Sequence, residues 1–466
     1  SNTTVNAASA DLKGVGFNHS NLTINNGSLN ITNNASSSLA NNNITVTNGS
    51  FSVLAKAGSL SLSGTNITAN NISVQVNRGG VLLNGAVVSS AVGGVDVVAG
   101  LGDINLSTSE ITANTDISLR AMSGGVDLTN ATLSSTAGAV NVTAQGGDFL
   151  LGAGNISAVN DITLNASGKA DLTNGTLNSS SGAVSVTAQG GDLTLGAGNI
   201  SAVNDITLNA SGKADLTNGT LNSSSGAVSV TAQGGDLTLG AGNISAVNNI
   251  TLNASGKADL TNGTLNSSSG AVSVTAKDGD LTLGAGNISA VNDITLNASG
   301  KADLNGGTLN SSEGNISVRA VSTTSADGIS LSDNGNVSAA NGTVTLQGSS
   351  ATGAGVRVSN AAIYAQKAVI SGNSTTGYGF SLTNVTLGSS LSDLTNVTLS
   401  SAGSGAGATN ILDSSVVNAS NRDTLMNMTI GGMTTVDMSG TAIYENATQA
   451  WVQDYGNTSA PNNGWI

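Results

Sequence analysis

Residues Ser181–Ser224 read SGAVSVTAQGGDLTLGAGNISAVNDITLNASGKADLTNGTLNSS, and the same 44 residues return, with small changes, on both sides of this copy. Gly138, Gly182, Gly226, Gly270 and Gly314 mark the repeat, with a weaker match at Gly94. The copy divides again. AVSVTAQGGDLTLGAGNISAVN (183–204) lies over DITLNASGKADLTNGTLNSSSG (205–226), two segments of 22 residues. Val184 matches Ile206, Val186 matches Leu208, Ala188 matches Ala210, Leu193 matches Leu216 and Ile200 matches Leu221, with slips in the loops. The structural unit is therefore about 22 residues, and the longer repeat is two units copied together.

Each unit holds three short runs, such as AVSVTA, GDLTLGA and NISAV, in which apolar and polar residues alternate. A period of two is the signature of a β-strand, and a helix would need 3.6. Three runs this short bury no face alone. Stacked on copies of themselves they form three parallel sheets around one dry core. The expected fold is all-β, a right-handed parallel β-helix (β-solenoid) with about 22 residues per coil. Val184, Val186, Ala188, Leu193, Leu195, Ile200 and Ala202 are the expected inward residues. Gly190, Gly191, Gly196 and Gly198 fall between runs, where corners are expected to need unusual backbone angles.

Outward from this core the pattern loosens. Residues 1–93 alternate similarly without being close copies, 94–320 hold the near-identical double coils, and 321–466 are diverged coils. The final stretch carries Tyr444, Trp451, Tyr455, Pro461 and Trp465 and is expected to cap the open sheet edge. The chain opens in mid-pattern and is expected to be part of something longer; Ser1-Asn2-Thr3-Thr4 does not start a signal peptide.

Composition narrows the function classes. Charged residues are 9% of the chain, against roughly 25% in globular proteins. Aromatics are 2%, and there is one proline and no cysteine. A net charge of −14 with 13 scattered basic residues leaves no basic patch, so nucleic acid is not an expected partner and an anionic membrane surface would repel the chain. No run of 18 apolar residues exists to insert into a membrane.

Little in the sequence points to catalysis. The one histidine, His19, sits beside Asn18 and Ser20 and reads as a solvated side chain. No nucleophile elbow, zinc helix motif, phosphate loop or calcium nonapeptide is present, and no cofactor is expected. Asp148, Asp192, Asp236 and Asp280 recur at one repeat position, and Asp171, Asp215, Asp259 and Asp303 on the intervening coils. Stacked, the eight would form a carboxylate ladder with steps of about 4.8 Å. Its like charges would repel, with Lys169, Lys213, Lys257 and Lys301 positioned to relieve them. Two readings stand: weak cation binding along the ladder, or turn-stabilising carboxylates bonded to backbone amides.

Asparagine is the other recurrent feature. Of 59 asparagines, 39 begin an Asn-x-Ser/Thr sequon. Random placement would give about 15, because Ser and Thr are about a quarter of the chain. Asn155, Asn165, Asn199, Asn209, Asn243, Asn253, Asn287 and Asn297 are the recurrent candidate acceptors for glycosylation. The competing reading is that strand alternation produces the motif, duplication multiplies it, and stacked asparagines form hydrogen-bonded ladders.

The segments GGDLTLGAGNISAVNDITLNASG and GAVSVTAQGGDLTL resemble the repeat region of two-partner-secretion (TpsA) exoproteins. These form the filamentous-haemagglutinin-like group, with its high-molecular-weight adhesins and EtpA-type exoproteins. The likeness covers residues 15–320 well and the rest loosely. It implies a right-handed β-helix in the shaft of an adhesin that is secreted or displayed on a Gram-negative cell surface. It also implies attachment to a host-cell receptor, a glycan or another bacterial surface structure, and glycosylation at Asn-x-Ser/Thr as in the high-molecular-weight branch. The family's secretion motifs NPNL and NPNGI are absent, so recognition by an outer-membrane TpsB-type transporter would involve a region outside this chain.

A structural, non-enzymatic adhesin is the leading expectation. A carbohydrate-active β-helix enzyme of the polysaccharide lyase or tail-spike type is the alternative, because fold alone does not decide function. An ice-binding solenoid would need a regular Thr-x-Thr face, which Thr187, Thr194 and Thr207 do not make.

Overall fold

A computed structural model describes residues 21–388 without a break, the strands Asn2–Asn6 and Ser9–Lys13 before them, and separate strands between Asn396 and Pro461 after them. The chain is an all-β parallel solenoid of about 17 turns with roughly 22 residues per turn. It divides into two compact units, 1–234 and 235–466, each a stack of such coils.

In the first unit, between Asn43 and Ala210, each strand pairs with the strands three before and three after it. Val184–Ala188 lies between Ile162–Ala166 and Ile206–Ala210. Leu193–Thr194 lies between Ala170–Asp171 and Ala214–Asp215, and Asn199–Ala202 between Thr176–Ser179 and Thr220–Ser223. This gives a first, a second and a third face per coil. All seven expected inward residues are buried, none more than 4% exposed. Each fully buried Val, Leu or Ile contributes about 1.5–3 kcal/mol, which explains why short alternating runs hold together once stacked.

The core also explains why two coils repeat as one. On the second face Phe149, Ala170, Leu193 and Ala214 succeed one another, large against small. On the third face Ser179, Ala202 and Ser223 alternate. Ser179 is 2% exposed; its Oγ donates to the Asn160 carbonyl at 2.7 Å and accepts from the Gly182 N–H at 2.9 Å. The corners alternate too. Residues 189–192 connect the first face to the second in one coil, and residues 211–213 do so in the next. The third-to-first corner restores the count, with 203–205 in the first coil and 224–227 in the second.

This one-residue difference corrects one pairing read from the sequence. Leu193 stacks on Ala214, and it is Leu195 that shares a level with Leu216. The corner glycines also divide into two kinds. Gly196 has φ +53, and in the adjoining coils the left-handed residue comes one place later, at Asn174 and Asn218 with φ +60, which share a level with Ala197. Gly190, Gly191 and Gly198 keep ordinary φ and are needed for space. A Cβ on Gly198 would stand 2.6 Å from Leu195 Cδ1, and one on Gly190 would collide with the Ser167 carbonyl.

The second unit repeats these coils to Ser311 and then changes. Strands Asn336–Ser350 and Val356–Ser374 run 15 and 19 residues, the first serving the third and first faces and the second serving all three. Coils lengthen accordingly: Ile316 stacks on Val344 and Ile329 on Val356, steps of 28 and 27 residues. Asp327 ties this region together, its Oδ2 2.6 Å from Arg357 Nε and its Oδ1 accepting from the Ala354 N–H at 2.7 Å. Near the chain end Ala442–Glu445 pairs antiparallel with Ala450–Asp454, bringing Tyr444 opposite Trp451. Of the other expected cap residues, Pro461 ends a strand, Ser459–Pro461, antiparallel to Thr435–Asp437, while Tyr455 and Trp465 lie outside the described residues, as does His19. Among the described residues no helix is long and apolar enough to cross a membrane.

Candidate functional site

The eight recurrent aspartates do not form one ladder. Asp148, Lys169, Asp192 and Lys213 succeed one another at the residue just before each second-face strand. Asp236, Lys257, Asp280 and Lys301 do the same in the second unit. Asp171 and Asp215 lie in a separate column with Thr194 between them, and Asp259 and Asp303 with Thr282 between them. The expected continuous carboxylate ladder is thus two columns in which no two aspartates are on adjacent coils. Carboxylates of one column are about 10 Å apart, close to the screening length at physiological salt, so their repulsion is small. Among the described residues no group of three or more acidic, His or Cys side chains could hold a metal ion.

Both sets bind backbone. The Oδ1 atoms of Asp148, Asp192, Asp236 and Asp280 accept from the N–H of Lys169, Lys213, Lys257 and Lys301 on the next coil, at 2.9, 2.8, 2.8 and 3.0 Å. The other set caps its own turn. Asp171, Asp215 and Asp259 accept from the N–H of Thr173, Thr217 and Thr261 at 3.1, 3.0 and 3.0 Å, and Asp303 accepts from Asn305 at 3.3 Å. Asp303 also accepts from Lys301 Nζ at 3.3 Å, a half-exposed pair still open to solvent screening and worth little.

A third aspartate column escaped the sequence reading. Asp116, Asp161 and Asp205 accept from the N–H of Ala139, Ala183 and Ala227, each at 2.8 Å, and Asp293 accepts from Asn315 at 2.7 Å. Its signal was the recurring Asn-Asp-Ile of residues 160–162, 204–206 and 292–294. At the equivalent point Asn249 Oδ1 accepts from the Ala271 N–H at 2.9 Å. An uncharged oxygen does the same work there, so the column needs an acceptor and not a charge.

The candidate acceptor asparagines fall into two groups. Asn155, Asn199, Asn243 and Asn287 open third-face strands and are exposed. Asn165, Asn209, Asn253 and Asn297 lie within first-face strands and are half-buried. Neighbouring coils put threonine next to each: Thr176 stacks between Asn155 and Asn199, and Thr187 between Asn165 and Asn209. Asparagine does not stack on asparagine at these eight positions, whereas earlier in the third-face column Asn21, Asn43 and Asn66 follow one another. Stacked asparagines also bond to each other at corners, where Asn48 Nδ2 donates to Asn26 Oδ1 at 2.8 Å and Asn384 Nδ2 to Asn360 Oδ1 at 2.7 Å.

One groove gathers carboxylates. It has a volume of about 400 Å³ and is lined by Asp103, Asp127 and Asp148 among glycines. Each of the three accepts from a backbone N–H: Gly125 at 2.8 Å, Thr129 at 2.9 Å and Lys169 at 2.9 Å. No family model, curated protein or solved structure matches this chain.

Proposed function

We propose that this chain is the repeat shaft of an adhesin, secreted or displayed on a Gram-negative bacterial surface, that mediates attachment to host cells without catalysis. The observation that carries this reading is the two-coil recurrence of the outward chemistry. From residue 148 to 303 the recurrent carboxylates and acceptor asparagines return every 44 residues, and the carboxylates are engaged by backbone amides. Such a surface serves through length, stiffness and display rather than through one point. The resemblance of its GGDLTLGAGNISAVNDITLNASG phrases to filamentous-haemagglutinin-like exoproteins supports the same reading and, with it, export by a TpsB-type transporter and glycosylation of exposed sequons. The partner is a host-cell receptor, a glycan or another bacterial surface structure.

The test is attachment of beads coated with the purified chain to cultured epithelial cells. Saturable attachment, inhibited by soluble chain, supports the reading; attachment equal to that of uncoated beads overturns it.

A second reading, a carbohydrate-active enzyme, has one observation in its favour, the Asp103–Asp127–Asp148 groove. Its test is the release of new reducing ends from a panel of polysaccharides. Release that disappears in Asp127→Asn would replace the adhesin reading.

A further inference from the structure

The first face changes character where the repeats end. From Thr143 through Asn165, Thr187, Asn209 and Thr231 its outward column carries no charge, Arg120 standing just before that stretch. At the start of the long-strand region the same face carries Arg319, followed by Gln347 and Ser371 on the next two coils. The inward residue beside them goes from Ala320 to Gly348 to Gly372. A Cβ on Gly348 would collide with the Gly355 carbonyl, and one on Gly372 with the Gly379 carbonyl. Only glycine lets the strand sink this close to the corner behind it, and the outer surface dips there.

The dip is a trough of about 250 Å³. Arg319, Gln347 and Ser371 form one wall. Val321, Ser349 and Asn373 form the other, in register across the same three coils. Arg319 is exposed and belongs to neither ion pair of the described residues. Val321 is 39% exposed, the one large apolar side chain of the trough.

We propose that this trough binds a sugar carrying a single carboxylate. The guanidinium receives the carboxylate through its planar fork of donors. The amides of Gln347 and Asn373 and the hydroxyls of Ser349 and Ser371 both donate and accept, as ring hydroxyls require. Val321 covers an apolar ring face. One apolar side chain among five polar ones does not suit a peptide, which needs pockets for its side chains. A polyanion is disfavoured by the net charge of −14, whereas one carboxylate is matched by one arginine. The proposal deepens the attachment reading and rests on it for its biological use.

The test titrates the full chain by NMR with methyl β-glucuronide and methyl β-glucoside, which differ in the carboxylate alone. For a ligand of this size a Kd on the order of 1 mM is expected for the glucuronide, with the glucoside about tenfold weaker or more. Arg319→Gln should abolish that preference, and Asn373→Asp should weaken the glucuronide alone. Equal binding of the two sugars, or a preference that survives Arg319→Gln, overturns the proposal. Cell attachment is scored on the same preparations. Attachment with no glucuronide preference removes the site and leaves the adhesin reading intact. A glucuronide preference without attachment supports the site and removes that reading.

Discussion

The Asp192 carboxylate accepts a hydrogen bond from the backbone N–H of Lys213, the residue stacked directly on it in the next coil, at 2.8 Å. One coil is thereby fastened to the next through a side chain that the sequence marks as charged but the geometry uses as an acceptor. Asp192→Asn, which keeps the oxygen, should cost well under 1 kcal/mol, as the natural Asn249 indicates for the neighbouring column. Asp192→Ala should cost about 0.5–1.5 kcal/mol, the net worth of this exposed hydrogen bond to the Lys213 amide. Urea unfolding of both variants measures the difference, and equal losses would show that charge matters more than acceptance.

Deleting 161–204 removes one double coil and joins Asn160 to Asp205, recreating the Asn160–Asp161 junction. Every column keeps its alternation, so the shortened chain should fold with nearly the same thermal midpoint. Deleting 161–182 removes one coil and sets Phe149 against Leu193 and Asp148 against Asp192. Overpacking of about 1–3 kcal/mol and repulsion between adjacent carboxylates follow. The single-coil deletion should lower the midpoint by several degrees, as read by circular dichroism. Equal midpoints would mean that coils are interchangeable singly.

If the protein is glycosylated after folding, exposure selects the sites. Hexose additions should map to Asn155, Asn199, Asn243 and Asn287, and not to the half-buried Asn165, Asn209, Asn253 and Asn297. Peptide mass mapping of protein from its natural host decides. Occupancy at both groups would indicate modification of the unfolded chain, and an unmodified mass would leave the sequons as a product of strand alternation.

Gly196→Asn should be better tolerated than Gly196→Ala, since asparagine enters the left-handed region more readily than alanine, as Asn174 and Asn218 do at the next turn position of the adjoining coils. Gly196→Ala should cost about 1 kcal/mol or more, because an alanine strains at φ +53 and its Cβ would meet Thr173 Cγ2 at 3.3 Å. Thermal melts of the two variants give the ranking, and an alanine as stable as the asparagine would refute it.

Side-chain alternation along one strand is a local property with a period of two, so Val184, Val186, Ala188, Leu193, Leu195, Ile200 and Ala202 could be assigned to the core from the sequence alone, and all are buried. The repeat length likewise follows from the chain itself, as do the parallel strands and their stacking. The neighbours each outward residue acquires on the next coil were decided by tertiary structure. Corner lengths obey no periodicity, and the corner 189–192 is one residue longer than its counterpart 211–213. That residue moves Leu193 onto Ala214 and Asp192 onto Lys213, turning an expected row of carboxylates into alternating Asp and Lys. The Arg319 trough was equally hidden. It depends on Gly348 and Gly372 letting two strands sink toward carbonyls seven residues further along the chain, a closeness that exists only after the coils have stacked.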